Sequence, residues 1–480
     1  MKQSLYFYDL ETSGFNPAEQ RIMQFAGQRL DFDLRPIGDP FNTLLKMTDD
    51  ILPDPYAIML TGITPQKTIQ KGINEAEFLK IFSTEISVPG TVFVGFNTVR
   101  FDDEFMRYLH YRNFYDPYEW QWLDGRGKWD LLDVARMTRA LRPEGIKWPV
   151  ENGKNVNRLV SLTKANHISH DGAHDALSDV MASIDLARLL QAKQPKLFSY
   201  LLNVMGNKKQ VAELVGAGNP FVYTSGKYPS ENEKTTVVAK LADHPKRGGA
   251  LVFDLRFDPK DYASLSVAEL ITAWRRDRHD EQPRLPAKSL LYNRCPAIAP
   301  LGVLNADSQK RIDLNIDKIQ ANYQALKSLQ EPFSKNILLA LEQMDAEQEK
   351  EQKIRPQEVD DMLYQGFFAD ADKQLIAKVR QATPDGLKNL DLKFSDSRLD
   401  LLLPLYKARN FRQTLSPEEV ELWEKFRVRR LLGGNENSRM SRFFKELETI
   451  SSGPGLGSEQ NYLLEELKLY GESILPVESY

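Results

Sequence analysis

Hydrophobic and polar positions along the chain fall into three textures. Through about residue 195, short apolar runs alternate with amphipathic stretches. The run 5–10 mixes aromatic and aliphatic residues, 22–32 and 41–47 are β-prone, and 91–96 has the unbroken apolarity of a buried strand. Helical spacing takes over at 102–112, 128–141, 157–166 and 175–192, and in the last of these Leu177, Val180, Met181, Ile184 and Ala187 form one stripe. The alternation predicts an α/β fold for residues 1–195, with helices covering a central sheet.

After Gln194 and Pro195 the pattern changes. A short helical stretch carries Tyr200 and Leu201, and β-prone runs at 221–224, 235–241 and 250–257 follow, separated by Gly, Pro and charged turns. These predict a second, partly β-barrel domain over 196–350, with the charged residues 345–353 as a helix end and linker. From 355 to 480, long amphipathic patterns and few strand signals predict a mainly helical third domain with a loop at 453–457. A chain of 480 residues has room for all three, since single cores stop growing at roughly 250–300 residues.

Composition narrows the class. Hydrophobic residues make up 41% and charged residues 27%, the balance of a folded globular protein rather than a disordered one. The formal charge of −4 provides no overall field for nucleic acid, so any such binding must use local basic patches. The lone Cys295 excludes an internal disulfide and a cysteine-built zinc site, and its expected place is a buried core. Residues 1–4 lead straight into strand-like sequence without the segments of a signal peptide, and no apolar run approaches ~18 residues. A cytoplasmic protein without membrane association is expected.

Candidate chemistry lies in three acidic elements. Asp9 and Glu11 end the first predicted strand, and residues two apart on a strand share a face, so both carboxylates converge while Leu10 turns to the core. Two such groups repel unless a cation sits between them. Hard oxygen ligands suit Mg²⁺ or Mn²⁺, and a pair of ions about 3.5–4 Å apart can stabilise the attacking and leaving oxygens of phosphodiester cleavage. Gly14 permits a tight turn just beyond. Asp102 follows the buried run 91–96, at the carboxyl edge of the sheet where α/β folds build sites. Its neighbours Asp103 and Glu104 have a simpler use in the first turn of a helix. Five residues on a helix span about 500°, so His174 and Asp179 could not share a face. His174 is therefore expected in the turn before the helix, with Asp175 as its cap and Asp179 in its first turns. There the imidazole could take a proton from an attacking water. His167 and His170 are expected to be structural hydrogen-bonders.

In order and spacing these elements resemble the DEDDh exonucleases, relatives of the proofreading subunit of DNA polymerase III and of ribonuclease T. The histidine form, His-x-x-x-x-Asp, is present rather than the tyrosine form with one fewer residue. The resemblance implies a ribonuclease H-like domain with a central mixed sheet, two Mg²⁺ ions (or Mn²⁺) on Asp9, Glu11, Asp102 and Asp179, and His174 as general base. Further segments extend it along nearly the whole chain: RNFYDPY at 112–118, LRPEGI at 141–146, LTKAN at 162–166, GFFADAD at 366–372 and YKARNF at 406–411. These are similar to the bacterial members of the superfamily that digest single-stranded DNA. That branch implies an SH3-like second domain, a helical third domain and a C-shaped monomer. It also implies 3′→5′ release of 5′-mononucleotides in DNA repair and recombination.

Aromatic and basic residues crowd the stretch 107–136, the mixture of stacking faces and phosphate partners that a single strand requires. By resemblance, Arg107, Tyr118, Trp122, Arg136 and Arg158 are expected at the substrate, Arg158 near the terminal phosphates. Lys208, Lys209, Arg275, Arg276 and Arg278 are candidates for a DNA track further out. The same resemblance implies recruitment by the acidic, Pro-Phe-ended C-terminal tail of the single-stranded-DNA-binding protein. Arg142 and Tyr200 would hold that tail, with Arg311 as a further candidate, and interdomain packing is their alternative use. A proofreading or RNA-directed exonuclease shares these motifs, and a non-catalytic single-strand binder is the alternative outside the enzymes.

Overall fold

The computed structural model describes residues 3–277, 280, 282–354 and 357–476. Its first domain is built on a mixed sheet of β1 (Ser4–Thr12), β2 (Ile22–Leu30), β3 (Phe41–Leu44), β4 (Thr91–Gly95) and β5 (Gly127–Asp130), in the order β3-β2-β1-β4-β5. Strand β2 runs antiparallel to β1 and β3, whereas β1, β4 and β5 are parallel. The central β1 is covered on both faces, which explains its nearly unbroken apolar run. Leu5 and Phe7 join one core with Val180, Ile184 and Ala187 of the helix Ala176–Lys193. Tyr6, Tyr8 and Leu10 join a second core with Phe105, Met106 and Leu109 of the helix Asp102–Arg112. The period of two thus aims the odd positions beyond Phe7 at the helix Ala176–Lys193.

At β5 the structure departs from the helix expected over 128–141. Residues 128–130 are not the start of a helix but part of β5, paired with β4, and the helix Leu131–Leu141 begins only where the Asp130 carboxylate caps it. A four-residue edge strand is too short to display its own period beside eleven helical residues. Residues 55–81 show no clear apolar spacing, yet they form three short helices: Pro55–Thr61, Pro65–Lys71 and Glu75–Ile81. Asp54, Thr64 and Asn74 cap them through their side chains.

A small hairpin of β6 (Val150–Glu151) and β7 (Lys154–Asn155) precedes the second domain. That domain is an antiparallel sheet of β8 (Phe221–Thr224), β9 (Thr235–Asp243), β10 (Gly249–Asp254), β11 (Ala287–Leu291) and β12 (Ala297–Pro300), in the order β11-β10-β9-β8-β12. The long helix Ile316–Ile354 lies against it, with Phe333 edge-on to Phe253 at 5.8 Å. The charged residues 345–353 belong to this helix. The described part of the third domain is helical, without strands. It packs back on the first domain in two places. Met440, Phe443 and Leu447 meet Met23, Met47 and Ile58, and Val379 and Tyr406 meet Tyr111 and Phe114. Among the described residues no helix is long and apolar enough to cross a membrane.

Candidate active site

Asp9 and Glu11 occupy the odd face of β1, and Asp179 reaches them from the first turn of the helix Ala176–Lys193. One carboxylate oxygen from each lies within 4.8 Å of the other two. Several contacts set that helix in place. Asp175 caps it by accepting the Ser178 N–H at 3.1 Å. Gln24 of β2 donates to Asp175 Oδ2 at 3.0 Å and accepts the Ala176 N–H at 3.3 Å. Asp102, first residue of its helix, is buried beside Asp9 but stands outside the 4.8 Å group, and its carboxylate accepts the Leu10 N–H. The loop that delivers Asp102 is fixed by a residue the sequence did not single out. Asp130, at the end of β5, accepts the N–H groups of Asn97 at 3.0 Å and Val99 at 3.2 Å while capping the next helix. Gly95 is required at the turn, because a Cβ there would lie 2.0 Å from Thr98 Cγ2.

The electrostatics follow from this crowding. Burial, then the charges of Asp102, Asp179, Glu11 and Asp175, push the Asp9 carboxyl well above its ordinary range. Burial and the repulsion of Asp179, Asp102 and Asp175 push Glu11 up to about 9. Burial also raises Asp102, against the backbone N–H groups it accepts. Such a cluster ionises fully only when a cation is bound, and an all-oxygen donor set fits a hard divalent ion.

The structure does not bring His174 to these carboxylates. It occupies the turn before the helix at φ 69°, exposed, and among the described residues no hydrogen bond or ion pair joins it to an acid. The left-handed turn holds the imidazole at the surface. His170 takes the near position: its Nε2 is bonded to Asp179 Oδ1 and its Nδ1 lies 3.2 Å from Thr163 Oγ1. Its only sequence signal was membership of the same His-containing loop.

Asp103 and Glu104 do more than favour a helix dipole. Asp103 is buried, and although burial would raise its carboxyl, Lys128 and Arg107 hold it below the usual range. Tyr8 also donates to it at 2.7 Å. Glu104 is where the three domains meet. It pairs with Arg107 at 2.5 Å and with Arg294 of the second domain at 3.0 Å, and it accepts from Tyr364 of the third.

The remaining sequence candidates are scattered. Arg107 is buried, bonded to Glu104 and Gln121, with its guanidinium 5.8 Å from the Tyr118 ring. Tyr118 meets the exposed Phe367 edge-on, and Trp122 is exposed. Arg136 pairs with Asp133 at 2.7 Å, and Arg158 is exposed and paired with Glu151; both arginines line a cleft of about 890 Å³. Lys208 and Lys209 are exposed at a helix start. Arg275 pairs with Glu347, and Arg276 donates to the Pro283 carbonyl. Arg278 lies outside the described residues. Arg142 and Arg311 bond across the junction of the first two domains, to the carbonyls of Val303 and Ala140, while Tyr200 donates to the Ile298 carbonyl within the second. Cys295 is buried, and burial pushes its thiol up to about 12.

A mixed sheet with acids converging at one edge defines an exonuclease domain, and the Exonuclease family model matches residues 6–187. The Exonuclease I SH3-like domain matches residues 206–341 and the Exonuclease I C-terminal domain residues 357–474. Exodeoxyribonuclease I of Haemophilus influenzae is 37% identical, over 98% of this chain and 99% of its own. The structure of E. coli Exonuclease I in complex with a dA16 oligonucleotide is similar, with a TM-score of 0.91 and 36% identity over 98% of this chain and 100% of that one. A structure of SSB/Exonuclease I in complex with an inhibitor gives a TM-score of 0.88 and 35% identity over 99% and 100%. The chain belongs to the exodeoxyribonuclease I family and is an exonuclease dependent on a divalent metal.

Proposed function

We propose that the protein digests single-stranded DNA from its 3′ end, releasing 5′-mononucleotides, as a cytoplasmic monomer in DNA repair and recombination. Its domains divide near residues 195 and 355. The observation that carries this reading is the convergence of Asp9, Glu11 and Asp179 on one point of a sheet edge in a chain of this family. The dA16 oligonucleotide on the E. coli relative supports the choice of substrate.

Asp9, Glu11, Asp102 and Asp179 hold the metal, Mg²⁺ in first place and Mn²⁺ as a substitute. When bound, two ions stabilise charge on the oxygens that attack and leave the phosphorus. His174 removes the proton of the attacking water once its turn folds inward. A second reading gives that role to His170, favoured by its contact with Asp179. Trp122 and Tyr118 offer stacking faces, Arg107 supports Tyr118, and Arg136, Arg158 and Lys208 meet phosphates. Arg142, Tyr200 and Arg311 receive the tail of the single-stranded-DNA-binding protein. The SSB/Exonuclease I structure supports that partner.

The test is digestion of 5′-labelled DNA and RNA oligomers with Mg²⁺ and with a chelator. A ladder shortening from the 3′ end on DNA, abolished by the chelator, is expected. Preference for RNA would favour the ribonuclease reading, and tight binding without cleavage would favour a non-catalytic binder.

A further inference from the structure

We propose that Tyr8 and Asp103 are positioning residues for the metal ligand Asp102, closing a clasp that fixes the start of the helix Asp102–Arg112 against β1. This rests on the metal assignment above.

Asp102 is the ligand whose place depends most on how its element is held. Asp9 and Glu11 ride on a central strand, whereas Asp102 opens a helix and stands outside the group of three converging carboxylates. Two bonds join that helix end to β1, one on each side of Asp9. The Asp103 carboxylate accepts the Tyr8 hydroxyl through Oδ1 at 2.7 Å, and the Asp102 carboxylate accepts the Leu10 N–H. The second Asp103 oxygen, Oδ2, accepts from Lys128 Nζ of β5 at 3.0 Å and lies 3.7 Å from Arg107 Nη2. Strand β4 runs between β1 and β5, so a single carboxylate ties the helix to both neighbours of the strand that leads into it. A hydroxyl donating to a carboxylate makes a short, strong bond. Tyr8 and Asp103 are both buried, where water does not compete for it.

The geometry separates this role from packing. The Tyr8 ring is seated without help from its hydroxyl, stacked on Phe25 at 6.0 Å and edge-on to Phe93 at 6.0 Å and Trp120 at 6.3 Å. Tyr6, two residues earlier, is also buried and belongs to the same core, but its hydroxyl has no hydrogen-bond partner. Removing the oxygen from each tyrosine therefore deletes the same atom from the same strand, and only at Tyr8 does it release a helix that carries a ligand.

The experiment measures Mg²⁺ binding to the full chain without DNA, from the rise of melting temperature across a Mg²⁺ series. Alongside it runs the Mg²⁺ concentration that gives half-maximal digestion of an oligothymidylate. Wild type is compared with Tyr8→Phe, Tyr6→Phe, Asp102→Ala and the double variant Tyr8→Phe with Asp102→Ala. Tyr8→Phe should need about tenfold more Mg²⁺, or above, in both readouts, the usual worth of a group that orients a metal ligand. Tyr6→Phe should match wild type, and oligothymidylate binding in chelator should be unchanged in both single tyrosine variants. In the Asp102→Ala background, Tyr8→Phe should alter the Mg²⁺-dependent melting no further, because it acts through that ligand. A wild-type Mg²⁺ requirement in Tyr8→Phe, with only the metal-free melting temperature lowered, would reduce the bond to packing and overturn the clasp. An equal shift in Tyr6→Phe, or additive effects in the double variant, would overturn it too. Mg²⁺ binding by Asp9→Ala as tight as by wild type would instead overturn the metal assignment beneath it.

Discussion

At the scale of single residues, the acids at the sheet edge were readable because a strand's period of two is rigid. Once β1 is central, Asp9 and Glu11 must share a face, and that face must meet the helix carrying Asp179. Asp9→Ala or Asp179→Ala should abolish cleavage while single-strand binding in chelator persists, since phosphates are also met by Arg and Lys. Near-normal turnover with Mg²⁺ in either variant would sink the ligand assignment. The same variants test the metal by a readout other than activity: Mg²⁺ should raise the melting temperature of the wild type and not of Asp9→Ala. Which histidine serves was not legible, because His170 and His174 share one loop and the loop's path is set by tertiary contacts. His174→Ala is expected to slow neutral-pH turnover roughly 10²- to 10⁴-fold, with a smaller loss at alkaline pH where hydroxide is supplied directly. An unaffected rate there, with the same loss in His170→Ala, would transfer the role to His170.

At the scale of elements, long amphipathic helices and the central strands stood out in the sequence, while β5, β11 and β12 did not. Each of those three has four or five residues, too few for a period to declare itself. The contacts that lock elements together were also hidden, since they join residues far apart in sequence. Arg409 of the helix Ser397–Asn410 donates to Asp50 at 2.8 Å and to Asp360 at 2.7 Å, with Arg21 and Arg430 close by, and all five side chains are buried. Burial alone would raise the two carboxyls, but Arg409, Arg21 and Arg430 outweigh it and hold both well below the usual range. A lowered folded-state value means the stabilisation is fully present above the unfolded carboxylate value of about 3.9 and is lost as pH falls through the folded one. The union of first and third domains should therefore hold at neutral pH and weaken progressively below about pH 4. Asp50→Ala, by leaving buried guanidiniums uncompensated, should cost about 3–5 kcal/mol at neutral pH, read from denaturant unfolding. A variant as stable as wild type would mean the network is balanced without Asp50.

At the scale of the whole molecule, three domains meet on one short helix. Glu104, two residues from Asp102, touches Arg294 of the second domain and Tyr364 of the third. No spacing rule could have revealed this, because the partners lie in separate textures of the sequence. The junction of the first two domains raises the sharper question of whether its basic residues bind a partner or only pack. Arg142 donates Nη2 to the Val303 carbonyl at 2.8 Å and Nη1 to that of Leu141 at 2.6 Å. Arg311 donates to Ala140 at 2.9 Å and faces Glu144 at 3.7 Å, and the half-buried Tyr200 reaches Ile298. Those bonds use the arginines for packing, yet a carbonyl neutralises no charge, so Arg142 keeps its positive field for an acidic tail. Arg142→Glu should weaken binding of an acidic, Pro-Phe-ended peptide about tenfold or more, since repulsion replaces attraction. Digestion of naked DNA should be spared, because Arg142 follows the last turn of the helix Leu131–Leu141, whose first turn is the one at the catalytic edge. Arg142→Lys separates the two uses: it keeps the charge but cannot bridge both carbonyls as a planar guanidinium does. Retained peptide binding with a lowered melting temperature in Arg142→Lys would assign charge to the partner and geometry to packing. Parallel loss of peptide binding, digestion and stability in Arg142→Glu would leave packing as its only role.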